Sequence, residues 1–219
     1  MSQNIKMNSK IKIYIFFIVY IISFTGYTNN IRIGLHTGIN FSTISYTNVP
    51  DDFTSGKGFL PAFFYGIKSE FLINNDYSFI SELNYTTKGY ASDQLGIRVR
   101  SYSRYIKFPL KIKYYYSNKF SFELGPYFSF ALREYSINNI SKTKSFGKIG
   151  NDLNSEPPDT LKPLDFGMQV GGEYNLGDIS MGVLLSYGIL NVRPGGGLGT
   201  SIRNLSTQIR VSYYLTKFD

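Results

Sequence analysis

The chain has no cysteine, no tryptophan and a single histidine, His36, in 219 residues. Without cysteine there is no thiol nucleophile, no disulfide, no Cys-based zinc site and no lipid-modified N-terminal Cys. One imidazole with no thiolate beside it leaves a transition metal short of ligands, so neither a metal nor any other cofactor is expected. Charge is scarce too: 17% of residues are charged, with Lys and Arg (23) exceeding Asp and Glu (15) to give a net +8. Lys6, Lys10 and Lys12 carry three of those charges in the first twelve residues, and the rest are dispersed. No basic stripe interleaved with exposed aromatics is formed, so no nucleic-acid partner is expected. A spanning helix needs about 20 apolar residues. No such run follows residue 24, which excludes a helical membrane protein.

What the sequence has is tyrosine (19), phenylalanine (18) and glycine (21). Its start is distinct from the rest. After the three lysines, Ile13 to Phe24 reads IYIFFIVYIISF, and short residues Thr25, Gly26 and Thr28 follow. A basic start, an apolar core too short to span, and small residues after it are the layout of a secretory signal. Residues 1–28 are expected to be that signal, cleaved near 26–28, with 29–219 forming a single barrel domain.

Beyond it, hydrophobicity alternates with a period of two, the mark of strands with one apolar face. From Tyr102 to Arg133, Ile106, Phe108, Leu110 and Ile112 oppose Lys107, Pro109, Lys111 and Lys113. After the polar turn Ser117-Asn118-Lys119, Phe122, Leu124, Phe128 and Phe130 oppose Ser121, Glu123, Gly125 and Ser129. The same alternation marks Ile31–Phe41, Phe59–Ile73, Tyr77–Lys88, Leu164–Tyr174, Ile179–Ile189 (Met181, Val183, Leu185 outermost) and Leu205–Leu215 (Ile209, Val211). Eight strands result, joined by connections that alternate long and short, with the long ones near 42–58, 89–100, 136–162 and 191–203. The bulky residues share one face, and glycine shares the other with the charges. This suits an all-β, eight-stranded, antiparallel up-and-down transmembrane barrel with lipid outside and a small polar lumen. A soluble lipocalin-like barrel would point the bulky face inward, where a narrow interior has no room for it. Tyr65, Tyr85, Tyr102, Tyr114, Tyr174 and Tyr213, near the ends of apolar runs, suit an interfacial girdle.

Six segments resemble the PorT-like outer-membrane β-barrel family of Bacteroidota: IRIGLHTGINFS (31–42), ISELNYTTKGY (80–90), YIKFPLKIKY (105–114), LGPYFSFAL (124–132), LDFGMQVGGEY (164–174) and LSYGILNV (185–192). Pro109, Gly125-Pro126 and Asp165-x-Gly167 occur in the family's order. The resemblance implies an outer-membrane location, reached after export through the periplasm, and an eight-stranded barrel. It also implies an accessory role in secretion or envelope assembly. The chain departs from the pattern at its end, where Tyr214 or Phe218 rather than the last residue would be the aromatic assembly signal.

The lumen phase carries Lys68, Lys107, Lys111, Lys113, Arg133 and Arg210 against Glu70, Glu82, Glu123, Asp165 and Glu173. Ionisable groups within a membrane structure are expensive unless paired or hydrated, so these are expected to form a paired structural cluster. A narrow solute or ion path is the competing expectation. His36 would need a Ser and an acid in reach, such as Ser42 and Glu70, to serve a lipid-modifying or proteolytic site. Nothing in the sequence brings them together, and no enzymatic activity is expected. Gly195-Gly196-Gly197 lacks the Lys-Ser/Thr of a phosphate loop. A monomer is expected, in contact with outer-membrane lipid and, through its external loops, with secretion or envelope proteins.

Overall fold

The computed structural model describes residues 30–48, 57–94, 97–194 and 201–216. The proposed signal, the Gly195–Gly197 loop and Phe218 lie outside the described residues. Among the described residues eleven strands occur in order: β1 (Ile31–Thr47), β2 (Lys57–Gly58), β3 (Leu60–Leu72), β4 (Tyr77–Gln94), β5 (Ile97–Tyr115), β6 (Phe120–Asn138), β7 (Lys144–Ile149), β8 (Asp159–Leu161), β9 (Leu164–Leu176), β10 (Ile179–Gly188) and β11 (Ser201–Tyr214). Eight of them close a ring, β1-β3-β4-β5-β6-β9-β10-β11, in which each pairs antiparallel with its neighbours. The last strand returns to the first, from Gly34↔Tyr214 to Thr47↔Ser201. The three short strands lie outside the ring, on its long connections.

The short turns cluster at the end that holds Ile31 and Tyr214, and each has a local cause. Asn74 Oδ1 accepts from the backbone N–H groups of Asp76 (3.0 Å) and Tyr77 (2.9 Å), closing the β3–β4 turn. Ser117 Oγ does the same for Lys119 and Phe120 between β5 and β6. Gly177, at φ 66°, turns β9 into β10.

Two of the expected external loops are largely strand. Residues 89–100 are expected to be a loop, but 89–94 and 97–100 form the paired outer ends of β4 and β5, out to Gln94↔Ile97. Within 136–162, β6 continues to Asn138 and β7 folds back on it, pairing Tyr135 with Phe146. At the other two, β1 runs on to Thr47 and β11 begins at Ser201. The physical reason is common to all. In these outer stretches polar residues and glycine stand in both phases of the strands, so the apolar alternation fades while backbone pairing persists.

The apolar phase points out of the ring. Leu124 and Val183 are 55% and 50% exposed, while Lys111 and Glu123 on the opposite face are 1% and 2% exposed. All the residues expected on the outer face, from Ile106 and Phe108 to Ile209 and Val211, lie on it. Paired rings sit near its ends, Tyr65 on Tyr85 (5.3 Å) at one and Tyr77 on Tyr114 (5.2 Å) at the other. Glycine in the polar phase serves more than lumen room. A Cβ on Gly38 or Gly125 would come within 2.0 Å of the neighbouring strand's carbonyl, at Ile209 or Leu110. These glycines let strands coil tightly around a narrow ring.

Replacing Leu124 or Val183 by Arg is expected to cost about 2–4 kcal/mol at mid-wall depth. Ile140→Arg, in the external β6–β7 turn, should change stability by no more than about 0.5 kcal/mol. Urea titration of protein folded into lipid vesicles measures all three, and equal losses would place Leu124 and Val183 outside hydrocarbon.

Candidate functional site

Strand alternation drives every second side chain of the eight ring strands into the lumen, and charged pairs stack there in layers. Nearest the short turns, Glu70 gathers Arg32 (3.0 Å), Ser78 (2.6 Å), Tyr214 (2.7 Å), the Tyr115 hydroxyl and, at 3.6 Å, Lys113. In the middle, Arg210 of β11 reaches across the barrel to Glu82 (3.0 Å), Glu173 (2.6 Å) and Glu123. Lys111 bridges Glu82 (2.6 Å) and Glu123 (3.0 Å), while Lys68 (2.9 Å) and Lys113 (2.6 Å) both hold Glu173. Toward the external mouth, Asp165 accepts from Lys88 (2.6 Å) and Asn204 (2.9 Å). Lys107 donates to Ser186 at 3.2 Å and lies 4.3 Å from the Tyr127 ring centre. Among the described residues it has no carboxylate at ion-pair distance. Glu70, Glu82, Glu173 and Asp165 each accept several charge-assisted bonds, and Glu123 is held by Arg210 and Lys111, which is what a low-dielectric interior demands of a buried charge.

Ten of the eleven lumen residues expected from the sequence are in this interior. Arg133 is not. Between Arg104/Arg133 and Tyr105/Ala131 the β5–β6 register shifts, so β6 has an extra residue, Leu132. That bulge inverts the alternation. Arg133 turns outward and is exposed, and Glu134 takes the inward position at 4% exposure. Tyr214, a candidate aromatic assembly signal, also points inward onto Glu70, and Tyr213 is the exposed partner. Sequence reasoning passed over Arg32 and Lys88 as network members, although both stand in the polar phase of their strands.

The external mouth is covered. Tyr105, Leu161 and Val192 form a buried apolar cluster, with Ala131, Ile149 and Ile202 packed against it. Arg193 fastens this cap, pairing with Glu134 at 3.1 Å and donating to the Thr160 carbonyl. Above it Asp159 accepts from the Asp152 N–H (2.9 Å), which with Lys148 at 3.5 Å holds its carboxyl below the usual range.

His36 Nε2 lies 2.5 Å from Asn84 Oδ1, and its ring packs against Phe64. Its bonded partner is therefore an amide, whereas Ser42 bonds the Leu60 carbonyl and Glu70 belongs to the network near the short turns. Among the described residues no three His, Asp or Glu side chains gather to hold a metal.

The attachment invasion locus protein Ail of Yersinia pestis is similar in structure, with 9% identity over 86% of this chain and 100% of Ail, at a TM-score of 0.47. Neisserial surface protein A gives 13% identity over 83% and 96%, also at 0.47. OprG of Pseudomonas aeruginosa gives 11% over 88% and 99%, at 0.39. No curated protein sequence matches the chain. The family described as outer membrane protein beta-barrel domain matches residues 2–193. A closed ring of eight strands with its apolar face outward agrees with that match: the chain is a bacterial outer-membrane protein and belongs to the outer membrane protein beta-barrel domain family.

Proposed function

We propose that this barrel is a non-conducting, non-enzymatic, monomeric surface protein. In this reading it serves secretion or envelope assembly in the manner of the PorT-like proteins it resembles, contacting envelope proteins through its external hairpins. The observation that carries this is the filled lumen. Three charged layers, the lower two joined through Lys113 between Glu70 and Glu173, occupy the interior of an eight-stranded ring, and the Tyr105–Leu161–Val192 cap lies over its outer end. Eight strands leave room for little beyond side chains, so the lumen cluster is structural. The wall carries no constraint of that kind at its outer end, where β4–β5 and β6–β7 project as paired ribbons. Rigid scaffolds place binding on such projections.

A narrow channel for small solutes is the competing reading. It draws on the unbroken polar lining from Arg32 to Lys88 and on Lys107, whose ammonium has no carboxylate partner among the described residues. Bilayer recording separates the two. The purified protein is expected to give no stable conductance, and sustained steps would establish the channel.

Arg210→Met should cost about 3–5 kcal/mol, because it takes one cation from each of three buried carboxylates and leaves Glu82 and Glu123 to share Lys111 alone, and Arg210→Met with Glu123→Gln should recover part of that loss. Urea midpoints in vesicles read both, and an unchanged midpoint would remove the structural role. Replacing residues 139–158 by a short turn spares Leu161 of the cap. It should leave a heat-modifiable barrel but abolish cross-linking to envelope proteins in cells. Undiminished cross-linking would move the contact surface elsewhere.

A further inference from the structure

The outer wall changes character at the β6 bulge. One pair below it, Ile106 and Phe130 face outward with Tyr85 beside them, as apolar and girdle residues should. At the bulge itself Arg104 and Arg133 stand directly opposite each other on that same outer face. Like charges in direct cross-strand opposition repel. Among the described residues neither arginine has an acidic partner at ion-pair distance.

The surrounding side chains add positive charge. Across the next pair up, Tyr102 stacks on Tyr135 at 5.0 Å, and Tyr135 pairs in turn with Phe146 of β7. Arg104 lies 5.4 Å and Lys144 4.1 Å from the Tyr135 ring centre, while Arg133 lies 4.5 Å from that of Phe146. Three cations therefore converge on two adjoining rings. Ring faces orient such cations but do not neutralise them. The nearest acids are engaged or remote. Glu134 faces the lumen and holds Arg193, and Asp93 sits across from Arg98 at the β4–β5 tip. The bulge that removes Arg133 from the lumen is what builds this outward group.

Its height decides its occupant. The group begins where the aliphatic wall ends, so it lies at the boundary of hydrocarbon and headgroups on the external side, where the phosphates of outer-leaflet glycolipid lie. Guanidinium groups bind phosphate oxygens two at a time and with defined geometry, and the neighbouring aromatic rings suit the amphipathic zone just beneath. We propose that Arg104 and Arg133, with Lys144, bind the phosphate of an outer-leaflet glycolipid. The site is on the outer wall, so it stands or falls independently of whether the lumen conducts or the hairpins hold proteins.

The test is native mass spectrometry of the full chain folded in a neutral detergent. It is titrated with phosphorylated lipid A, with the same lipid dephosphorylated, with inorganic phosphate and with a short DNA duplex. The phosphorylated lipid is expected to bind about tenfold or more tightly than the dephosphorylated one, the gain of one or two charge-assisted bonds. R104Q/R133Q should abolish that preference, and R98Q at the hairpin tip should keep it. Heat-shifted mobility on gels checks that each variant is folded. The single R133Q variant, fully external to the wall, carries the test if the double variant does not fold. Equal binding of the two lipids, or equal loss in R98Q, would overturn the proposal. So would inorganic phosphate binding as tightly as the lipid, which would make this a free-anion site, or tighter binding of a short DNA duplex, which would make it a site for soluble polyanions.

Discussion

Everything in this protein depends on the pairing of its last strand with its first. In hydrocarbon an unpaired N–H or C=O has no water to turn to, and each costs several kcal/mol. The β1–β11 seam, continuous from Gly34 to Thr47, leaves the ring without an edge. Once the ring is closed, inside and outside are defined, and the period-two sequence can satisfy only one assignment. Bulky Phe, Leu, Ile and Val meet lipid, and Lys, Glu and Arg must find one another.

That second requirement shapes the interior. A narrow lumen cannot hydrate the charges of eight strands, so they are matched across strands far apart in sequence. Arg210 of the last strand ties Glu82 of β4, Glu123 of β6 and Glu173 of β9 into one group. Ties of this sort fix register as well as charge. A slip of one residue in any strand would turn its charges toward lipid. The lumen network and the outer apolar wall are therefore a single constraint seen from two sides.

The bulge at Leu132 shows how a local irregularity redirects chemistry. A strictly alternating strand would add Arg133 to an interior already rich in cations. One extra residue sends it out instead, brings Glu134 in to meet Arg193 beneath the cap, and places two arginines side by side at the membrane boundary. Tyr135 follows the shifted phase and lies against Arg104, while Phe146 of β7 lies against the displaced Arg133.

The sequence by itself determined the class of fold, the eight ring strands, which face meets lipid and the membership of most of the lumen cluster. Each of these follows from the period of two, which needs no partner to be read. It misplaced the strand ends at 89–100 and 136–162, because polar residues in both phases erase the alternation while leaving the hydrogen bonds. Only the tertiary structure decided who pairs with whom. The contacts of Arg210, the cap of Tyr105, Leu161 and Val192, and the inward turn of Tyr214 join residues dozens of positions apart. The outward turn of Arg133 was likewise beyond sequence, since a bulge is a mismatch between two strands and is visible only when both are aligned.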